Sequence, residues 1–137
     1  MTERENEQTV RGWFEAYNRR DIDTMMGLCA DDCIAIYPTL REYDKNAWRQ
    51  DLAVEVRAFP DAEVRLLSLI AQDEQVAAEF SWKAAQKGEY RGNPPDNQTY
   101  QFPCVLIFDL EQAKLKSVRY YWNTRLWGLH DQRPPEG

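Results

Sequence analysis

The spacing of apolar residues changes once along this chain, close to Pro60. Before Pro60 apolar residues recur about every 3.6 positions, which predicts helices, and after it they alternate, which predicts strands. The first helix is predicted over residues 3–19. Its apolar stripe consists of Val10, Trp13, Phe14 and Tyr17. This spacing is typical of a helix with one face in a core.

Two further helices are predicted before Pro60. Asp21 or Asp23 can cap the second and Asp44 the third, because a carboxylate accepts from the free N–H groups of the first turn. The predicted apolar faces are Ile22, Met25, Met26 and Cys29 in the second helix and Trp48, Leu52, Val56 and Phe59 in the third. Between these helices, residues 33–37 form a short strand-like run that Pro38 ends.

After Pro60 the alternation predicts four long strands, at about 63–71, 76–85, 100–108 and 114–123. Helices followed by a run of antiparallel strands favour an α+β fold, with the helices collected on one face of a curved sheet. A sheet that curls around helices leaves a cavity at its open end. Ligands are expected in such a cavity.

Length and charge narrow the class of protein. A chain of 137 residues has about the size of one domain, so we expect a single domain over 1–137 with frayed termini at about 1–8 and 133–137. The formal net charge is −6, and lysine and arginine are scattered among acids. A surface that binds phosphates needs a basic stripe, so we expect neither nucleic acid nor an anionic membrane as a partner.

The cysteines and the N-terminal residues predict the compartment. The first residues lack the basic and apolar regions of a signal peptide, and we expect a cytoplasmic protein. Three cysteines, an odd number, do not predict a disulfide framework. Cys29 and Cys33 lack a second pair of zinc ligands, and the only histidine, His130, is far away in sequence. We expect no metal and no cofactor.

Several segments together carry a resemblance to a known family. Residues 88–98, from Gly88 through Gly92, Pro94 and Pro95 to Gln98, resemble the G-x-[FY]-x-G-x-P-P-T-G-[KR] loop of SnoaL-like polyketide cyclases. The other matching segments are Tyr17-Asn18-Arg19-Arg20-Asp21, Phe59-Pro60-Asp61, Tyr121-Trp122-Asn123 and the terminal Leu126, Leu129 and Gln132. The resemblance covers residues 10–132.

This resemblance implies the nuclear-transport-factor-like superfold, which ketosteroid isomerases also use. The implied architecture is a cone-shaped, curved antiparallel β-sheet packed on three N-terminal α-helices and enclosing a pocket. The superfold hosts enzymes, binding domains and dimerisation modules, so the fold alone does not define a function.

The catalytic residues that the family implies are replaced in this chain. In SnoaL-like cyclases the Asp of the Y-W-D motif moves a proton beside a carbonyl, and Asn123 stands at that position here. An amide cannot take up that proton, although it can donate a hydrogen bond to an oxyanion. The comparison with ketosteroid isomerases places Trp13, Tyr37 and Cys104 at the positions of the Tyr and the two Asp residues.

The remaining candidates form a second-best site. Arg119, Tyr121 and Asn123 alternate onto one face of the last strand, and the family resemblance directs that face toward the cavity. With Tyr17, these residues are our predicted catalytic set. The alternative is that this face is a polar lining or a dimer surface. The predicted substrate-binding set is Trp13, Tyr37, Trp48 and Cys104, although Trp13, Tyr17 and Trp48 also fit an ordinary core.

Other titratable residues are weaker candidates. Glu79 and Asp109 lie within strand patterns and would serve as bases only if buried, and we expect both to point to solvent from the outer face. His130 has no nucleophile motif beside it, so we expect a surface or interface role.

Two functions follow from these patterns. The first is a cofactor-free pocket that binds or transforms a small hydrophobic carbonyl compound by cyclase-like or isomerase-like acid–base chemistry, with Asn123 in place of the usual Asp. The second is a non-catalytic dimeric module whose last strand presents Val118, Tyr120 and Trp122 to a second copy. We expect a homodimer in either case, because two-fold dimers are the commonest oligomers.

Overall fold

The structure is a computed structural model that describes residues 2–123. The helices are α1 (Thr2–Asn18), α2 (Ile22–Gly27) and α3 (Lys45–Ala58). The strands are β1 (Cys29–Ile36), β2 (Glu42–Asp44), β3 (Glu63–Gln72), β4 (Gln75–Ala85), β5 (Thr99–Glu111) and β6 (Lys114–Trp122). None of the helices in this part of the chain is long and apolar enough to cross a membrane.

The six strands form one open sheet in the order β2-β1-β6-β5-β4-β3. Three helices pack on this sheet, which confirms the α+β prediction. The sheet is mixed rather than wholly antiparallel, because β1 runs parallel to β6. The short strand β2, which pairs with β1, has no counterpart in the sequence prediction.

Local chemistry sets the helix starts as predicted, but α2 ends at Gly27, so Cys29 begins β1 instead of extending the helix face, and Phe59 caps α3 rather than belonging to it. The side chain of Asp21 accepts from the backbone N–H of Thr24 at the start of α2, and that of Asp44 accepts from Ala47 at the start of α3. These bonds satisfy N–H groups that have no partner within the helix. Helix α3 ends at Ala58, two residues before Pro60, whose ring would clash with a continuing helix.

Helix α1 begins at Thr2, close to the predicted start, and its first turns contact the β3–β4 turn. The Asn6 side chain is buried, and its Nδ2 donates to the carbonyl of Asp73 in the β3–β4 turn over 3.3 Å. The backbone N–H of Asp73 in turn donates to Glu3 Oε2 over 2.8 Å. These long-range bonds hold the first turns of α1 against the hairpin. Met1 and the segment 133–137 lie outside the described residues.

The core lies between the helices and the inner face of the sheet. On β4 and β5 the alternation is as predicted, and Phe80, Trp82, Phe102 and Phe108 all face inward and are buried. The ring of Phe14 from α1 packs on Phe80 and Phe108 at centroid distances of 5.0 and 5.9 Å. Each large apolar side chain contributes roughly 1.5–3 kcal/mol by burial. This packing fixes α1 across the sheet and defines one wall of a cavity.

Candidate functional site

A small cavity lies between α1, α3 and the inner face of the sheet. Its volume is about 40 Å³, far below the roughly 300–1,000 Å³ typical of pockets for drug-sized ligands. Residues from α1 (Trp13, Phe14, Tyr17), α3 (Leu52, Glu55), β1 and the following turn (Tyr37) and strands β3–β6 (Val64, Phe80, Trp82, Phe102, Cys104, Leu106, Tyr120, Trp122) line it. A larger ligand must displace some of these side chains to enter.

Glu55 is the one carboxylate among the lining residues, and it is buried. The Tyr17 hydroxyl donates to Glu55 Oε2, and the Tyr17 oxygen accepts from Trp82 Nε1 over 2.8 Å. The three side chains therefore form a directed chain of hydrogen bonds that ends on the carboxylate. This chain fixes the carboxylate within an otherwise apolar cavity.

The environment of Glu55 changes its acidity. Burial raises the pKa of Glu55 to about 7, and the negative charge of Asp51 adds to this, while the Tyr17 hydrogen bond and the charge of Arg91 oppose it. Both protonation states of Glu55 are consequently populated near neutral pH. A carboxyl group of this kind can accept and return a proton, which is the requirement for general acid–base catalysis.

Helical spacing explains why Glu55 points inward. Trp48, Leu52 and Glu55 lie at i, i+4 and i+7 on α3, so they share one face, and all three are buried. The sequence prediction gave the i+8 position, Val56, to the apolar face, but Val56 is only half-buried. Glu55 was therefore missed. Its place three residues after Leu52 was the available signal.

Tyr37 and Tyr120 form an aromatic wall of the cavity. The Tyr37 ring stacks on Tyr120 with centroids 4.2 Å apart, and Trp48 Nε1 donates to the Tyr120 hydroxyl over 3.1 Å. Trp13 stacks on Trp48 at 5.8 Å. The Trp13 indole N–H is buried and has no hydrogen-bond partner among residues 2–123. Trp13 also lines the cavity, which makes this N–H a candidate donor to a ligand oxygen.

A buried ion pair lies behind this wall. Arg91 Nη2 contacts both oxygens of Asp51 at 3.1 Å, and the two side chains are only 6% and 10% exposed. The Tyr37 hydroxyl donates to Asp51 Oδ2 over 3.2 Å. The guanidinium carbon of Arg91 lies 5.1 Å from the ring centre of Tyr37 and 5.0 Å from that of Tyr90. Tyr37 thus lines the cavity and also contacts both members of the ion pair.

Comparisons with known proteins agree with this architecture. The family model described as a SnoaL-like domain matches residues 10–118, most of the chain. The chain belongs to the SnoaL-like family. The comparison with curated proteins gave no match.

Solved structures show the same SnoaL-like fold at low sequence identity. A candidate SnoaL-like polyketide cyclase from Jannaschia sp. CCS1 is 21% identical with a TM-score of 0.85, covering 97% of this chain and 95% of its own. AclR, a candidate hydroxylase from Streptomyces galilaeus, is 20% identical with a TM-score of 0.82, covering 93% and 95%. IdmH, a candidate polyketide cyclase from Streptomyces antibioticus, is 16% identical with a TM-score of 0.78, covering 91% and 96%.

The cavity of this SnoaL-like domain includes part of the predicted site. Tyr17, Trp13, Tyr37 and Cys104 line it. Trp48 is fully buried but lies behind the wall, where it supports Trp13 and Tyr120. These positions say where the side chains lie, and their roles stay predictions.

The predicted face of the last strand is reversed. Tyr120 and Trp122 line the cavity, so by alternation Arg119 and Tyr121 point to the outer face. Arg119 pairs with Asp109 there, and Tyr121 is 52% exposed. The expected dimer surface of Val118, Tyr120 and Trp122 is wrong for the same reason, since Val118 is fully buried and the other two face inward.

The remaining predicted residues lie away from the cavity. Asn123 follows β6 and is exposed, and it is not among the lining residues. Glu79 is exposed as expected, and Asp109 lies on the outer face, where it accepts from Gln75 and Ser117. His130 is outside the described residues. Within residues 2–123, no group of three or more His, Cys, Asp or Glu is placed to hold a metal.

Proposed function

We propose that the cavity binds a small hydrophobic carbonyl compound and that Glu55 moves a proton on it, in a cyclase-like or isomerase-like step without a cofactor. The carrying observation is the buried carboxylate of Glu55, hydrogen-bonded to Tyr17 inside an apolar cavity, with a pKa raised to about 7. Enzymes place their general bases in this pKa range because proton uptake and release are then both possible at neutral pH.

The lining supports a ligand that is apolar and carries an oxygen. Aromatic rings provide most of the contact surface, and the indole N–H of Trp13 is available to a carbonyl oxygen. Polarising that oxygen acidifies the adjacent C–H group, from which ionised Glu55 can take the proton. In an unsaturated ketone, protonated Glu55 can return the proton to a different carbon of the dienolate, which gives isomerisation. In a dicarbonyl compound, the enolate carbon can attack the second carbonyl, and Glu55 then returns its proton to the alkoxide formed, which gives ring closure.

In this mechanism Glu55 replaces Asn123 as the proton-transfer group. Tyr17 is its hydrogen-bond donor, and Trp82 holds the Tyr17 oxygen. Tyr17 therefore orients the base rather than reacting itself, since burial and the neighbouring Glu55 raise the pKa of its hydroxyl well above the ordinary value. The three free thiols are compatible with the cytoplasmic location that we include in the proposal.

Binding is tested first, by thermal shift and NMR titration against small cyclic ketones, aromatic polyketides and steroids. The small ketones are expected to bind most readily, because the cavity volume is about 40 Å³. A ligand at 100 times its Kd adds about 2.7 kcal/mol to the unfolding free energy, which raises Tm by several degrees. Trp13→Ala is expected to weaken the binding.

Proton transfer is tested on any ligand found, by following deuterium incorporation beside its carbonyl in D₂O. Glu55→Gln keeps the shape of the side chain but cannot take a proton, and it is expected to slow the exchange about 100-fold or more. Glu79→Gln makes the same chemical change at an exposed position of β4 and should exchange at the wild-type rate. Exchange by Glu55→Gln at the wild-type rate would remove Glu55 from the mechanism.

A second candidate function, the dimeric module, is favoured by the outer face of the sheet. Cross-strand pairing puts Ile70, Ile107 and Tyr121 on this face, and Ile70 is 65% exposed and Tyr121 52%. We propose that a second copy covers it. Analytical ultracentrifugation is expected to give a dimer at micromolar concentration that Tyr121→Lys dissociates. Leu40→Lys, at a residue 81% exposed in the β1–β2 connection, should leave it intact.

A further inference from the structure

The loop between β4 and β5 is fastened to α3 at two places. At one, the backbone N–H groups of Lys87 and Gly88 donate to the carbonyl of Ala58 over 2.7 and 3.2 Å. A Cβ atom at Gly88 would lie 3.3 Å from the Ala58 Cα, so a larger residue would need the backbone to shift by a few tenths of an ångström. The second place lies about two helical turns earlier on α3, where Arg91 donates to both carboxylate oxygens of Asp51. The loop thus brings a cation to the helix that carries Glu55.

Asp51 and Glu55 are neighbours on that helix. They are four residues apart, so their side chains lie on one face, one turn from each other. Two carboxylates at this spacing repel when both are ionised. Arg91 neutralises the first of them, and Asp51 also accepts from the Tyr37 hydroxyl, which belongs to the cavity wall. The Asp51–Arg91 ion pair therefore contacts Tyr37 in the cavity wall and lies one helical turn from Glu55.

Several other titratable groups face Glu55 from the elements packed around it. They are Tyr17 of α1, Tyr37 after β1, Tyr90 of the loop, Cys104 of β5 and Tyr120 of β6. Burial raises the pKa of every one of these hydroxyl and thiol groups, so they stay neutral near pH 7. The charges that act on Glu55 are then those of Asp51 and Arg91.

We propose that the Asp51–Arg91 ion pair is a positioning device for this site, which fixes the Tyr37 wall and sets the charge state of Glu55. Arg91 and Asp51 touch no reacting atom in this role. Arg91 acts through Asp51, and Asp51 acts on Glu55 by its charge and on Tyr37 by its hydrogen bond. The β4–β5 loop thereby influences the site, although neither Arg91 nor Asp51 is among the residues that line the cavity.

The test measures the pKa of Glu55 directly in ligand-free protein, by titrating ¹³C-labelled glutamate carboxyl groups and assigning Glu55 from the spectrum of Glu55→Gln. Asp51→Asn removes the repelling charge and leaves Arg91, so the pKa of Glu55 is expected to fall by about 1. Arg91→Met leaves Asp51 unneutralised, so the pKa of Glu55 is expected to rise by about 1. The double variant Asp51→Asn/Arg91→Met is expected to return near the wild-type value.

Opposite shifts that cancel in the double variant are a pattern that loss of packing alone does not produce. Asp51→Asn is also the variant best able to fold, because the Arg91 guanidinium still lies over the rings of Tyr37 and Tyr90. Asp32→Asn, which removes an exposed carboxylate paired with Lys116, is the control and should leave the pKa of Glu55 unchanged. Shifts of equal sign in the two single variants, or none, would overturn the inference.

A second readout joins this role to the proposed function, on which it rests. The pH dependence of deuterium incorporation is expected to move with the pKa of Glu55, to lower pH in Asp51→Asn and to higher pH in Arg91→Met. If no ligand exchanges in wild-type protein, the proposed function fails while the NMR titration still decides the electrostatic role. If exchange occurs but its pH profile is the same in wild type and in both variants, the positioning role is wrong while the proposed function stands.

Discussion

The two acids on the buried side of α3 lie one turn apart and have opposite surroundings. Asp51 faces the β4–β5 loop, where Arg91 contacts both of its oxygens. Glu55 faces the cavity, where its partner is the neutral hydroxyl of Tyr17. Both side chains are buried, so the difference lies in the partner: Asp51 pairs with a cation, whereas Glu55 accepts from a neutral hydroxyl and its pKa is raised to about 7. The chemistry of the cavity depends on that asymmetry.

Breaking the ion pair is expected to have the largest effect on stability. Arg91→Met leaves Asp51 as an uncompensated buried charge, which should lower the free energy of unfolding by about 3–5 kcal/mol. The double variant Asp51→Asn/Arg91→Met removes both charges and should recover most of this loss. Urea unfolding measures each value. A double variant as unstable as Arg91→Met would mean that packing, not charge, dominates.

Changing Glu55 should alter stability only at high pH. Because folding raises the pKa of Glu55 from about 4.5 to about 7, the folded state holds this proton more tightly than the unfolded state. The stabilising contribution is complete below about pH 4.5 and is lost as pH rises through about 7. Glu55→Gln cannot ionise, so near pH 9 it should be more stable than wild type by about 3 kcal/mol and near pH 4 about equal.

Unfolding by urea at these two pH values checks that prediction. Glu79→Gln removes an exposed carboxylate of the same kind, and its stability relative to wild type should be the same at both pH values. A pH-independent difference between Glu55→Gln and wild type would show that Glu55 titrates normally.

Removing the Tyr17 hydroxyl tests the hydrogen bond that Glu55 accepts in the cavity. Tyr17→Phe leaves the Trp82 N–H buried without its acceptor, which should cost about 1–3 kcal/mol. The hydrogen bond from Tyr17 lowers the pKa of Glu55, so its loss should raise that pKa further. Urea unfolding and the carboxyl titration measure the two effects. Tyr100→Phe, which removes an exposed hydroxyl bonded to Asp96, should change neither.

The smallest effect is expected from an ion pair of the same type on the outer face. Arg119 and Asp109 form a pair whose side chains are 31% and 36% exposed, far more than those of Arg91 and Asp51. Solvent screens such pairs, so Arg119→Met should cost about 0–1 kcal/mol and leave ligand binding unchanged. A loss as large as that of Arg91→Met would remove burial as the explanation of the difference.

The fold could be predicted from the sequence because its signals are periodic and local. The change of period at Pro60, the caps Asp21 and Asp44 and the alternation along β4 and β5 each required only a few neighbouring residues. The strand β2 was missed because three residues are too few to show a period.

The site was harder to predict because it depends on which face of each element turns inward. On β6 both faces carry aromatic residues, so alternation gave two sets but did not identify the inner one. Glu55 was not identified because Val56, four residues after Leu52, fits the helical apolar period as well as Glu55, three residues after it. The pairing of Arg91 with Asp51 joins residues 40 positions apart, and no local pattern marks it.

The parallel pairing of β1 with β6 has a consequence for the order in which the molecule forms during synthesis. Cys29 pairs opposite Leu115, and Ile36 opposite Arg119, so an early strand pairs with the strand furthest along the chain among residues 2–123. Contacts that close such long loops form late, because chain entropy must be overcome first. Tyr37 can meet Tyr120 only after this pairing. A nascent chain in which β6 has not yet paired therefore lacks Tyr120 and Trp122 in the cavity lining, and Tyr37 lacks the ring on which it stacks.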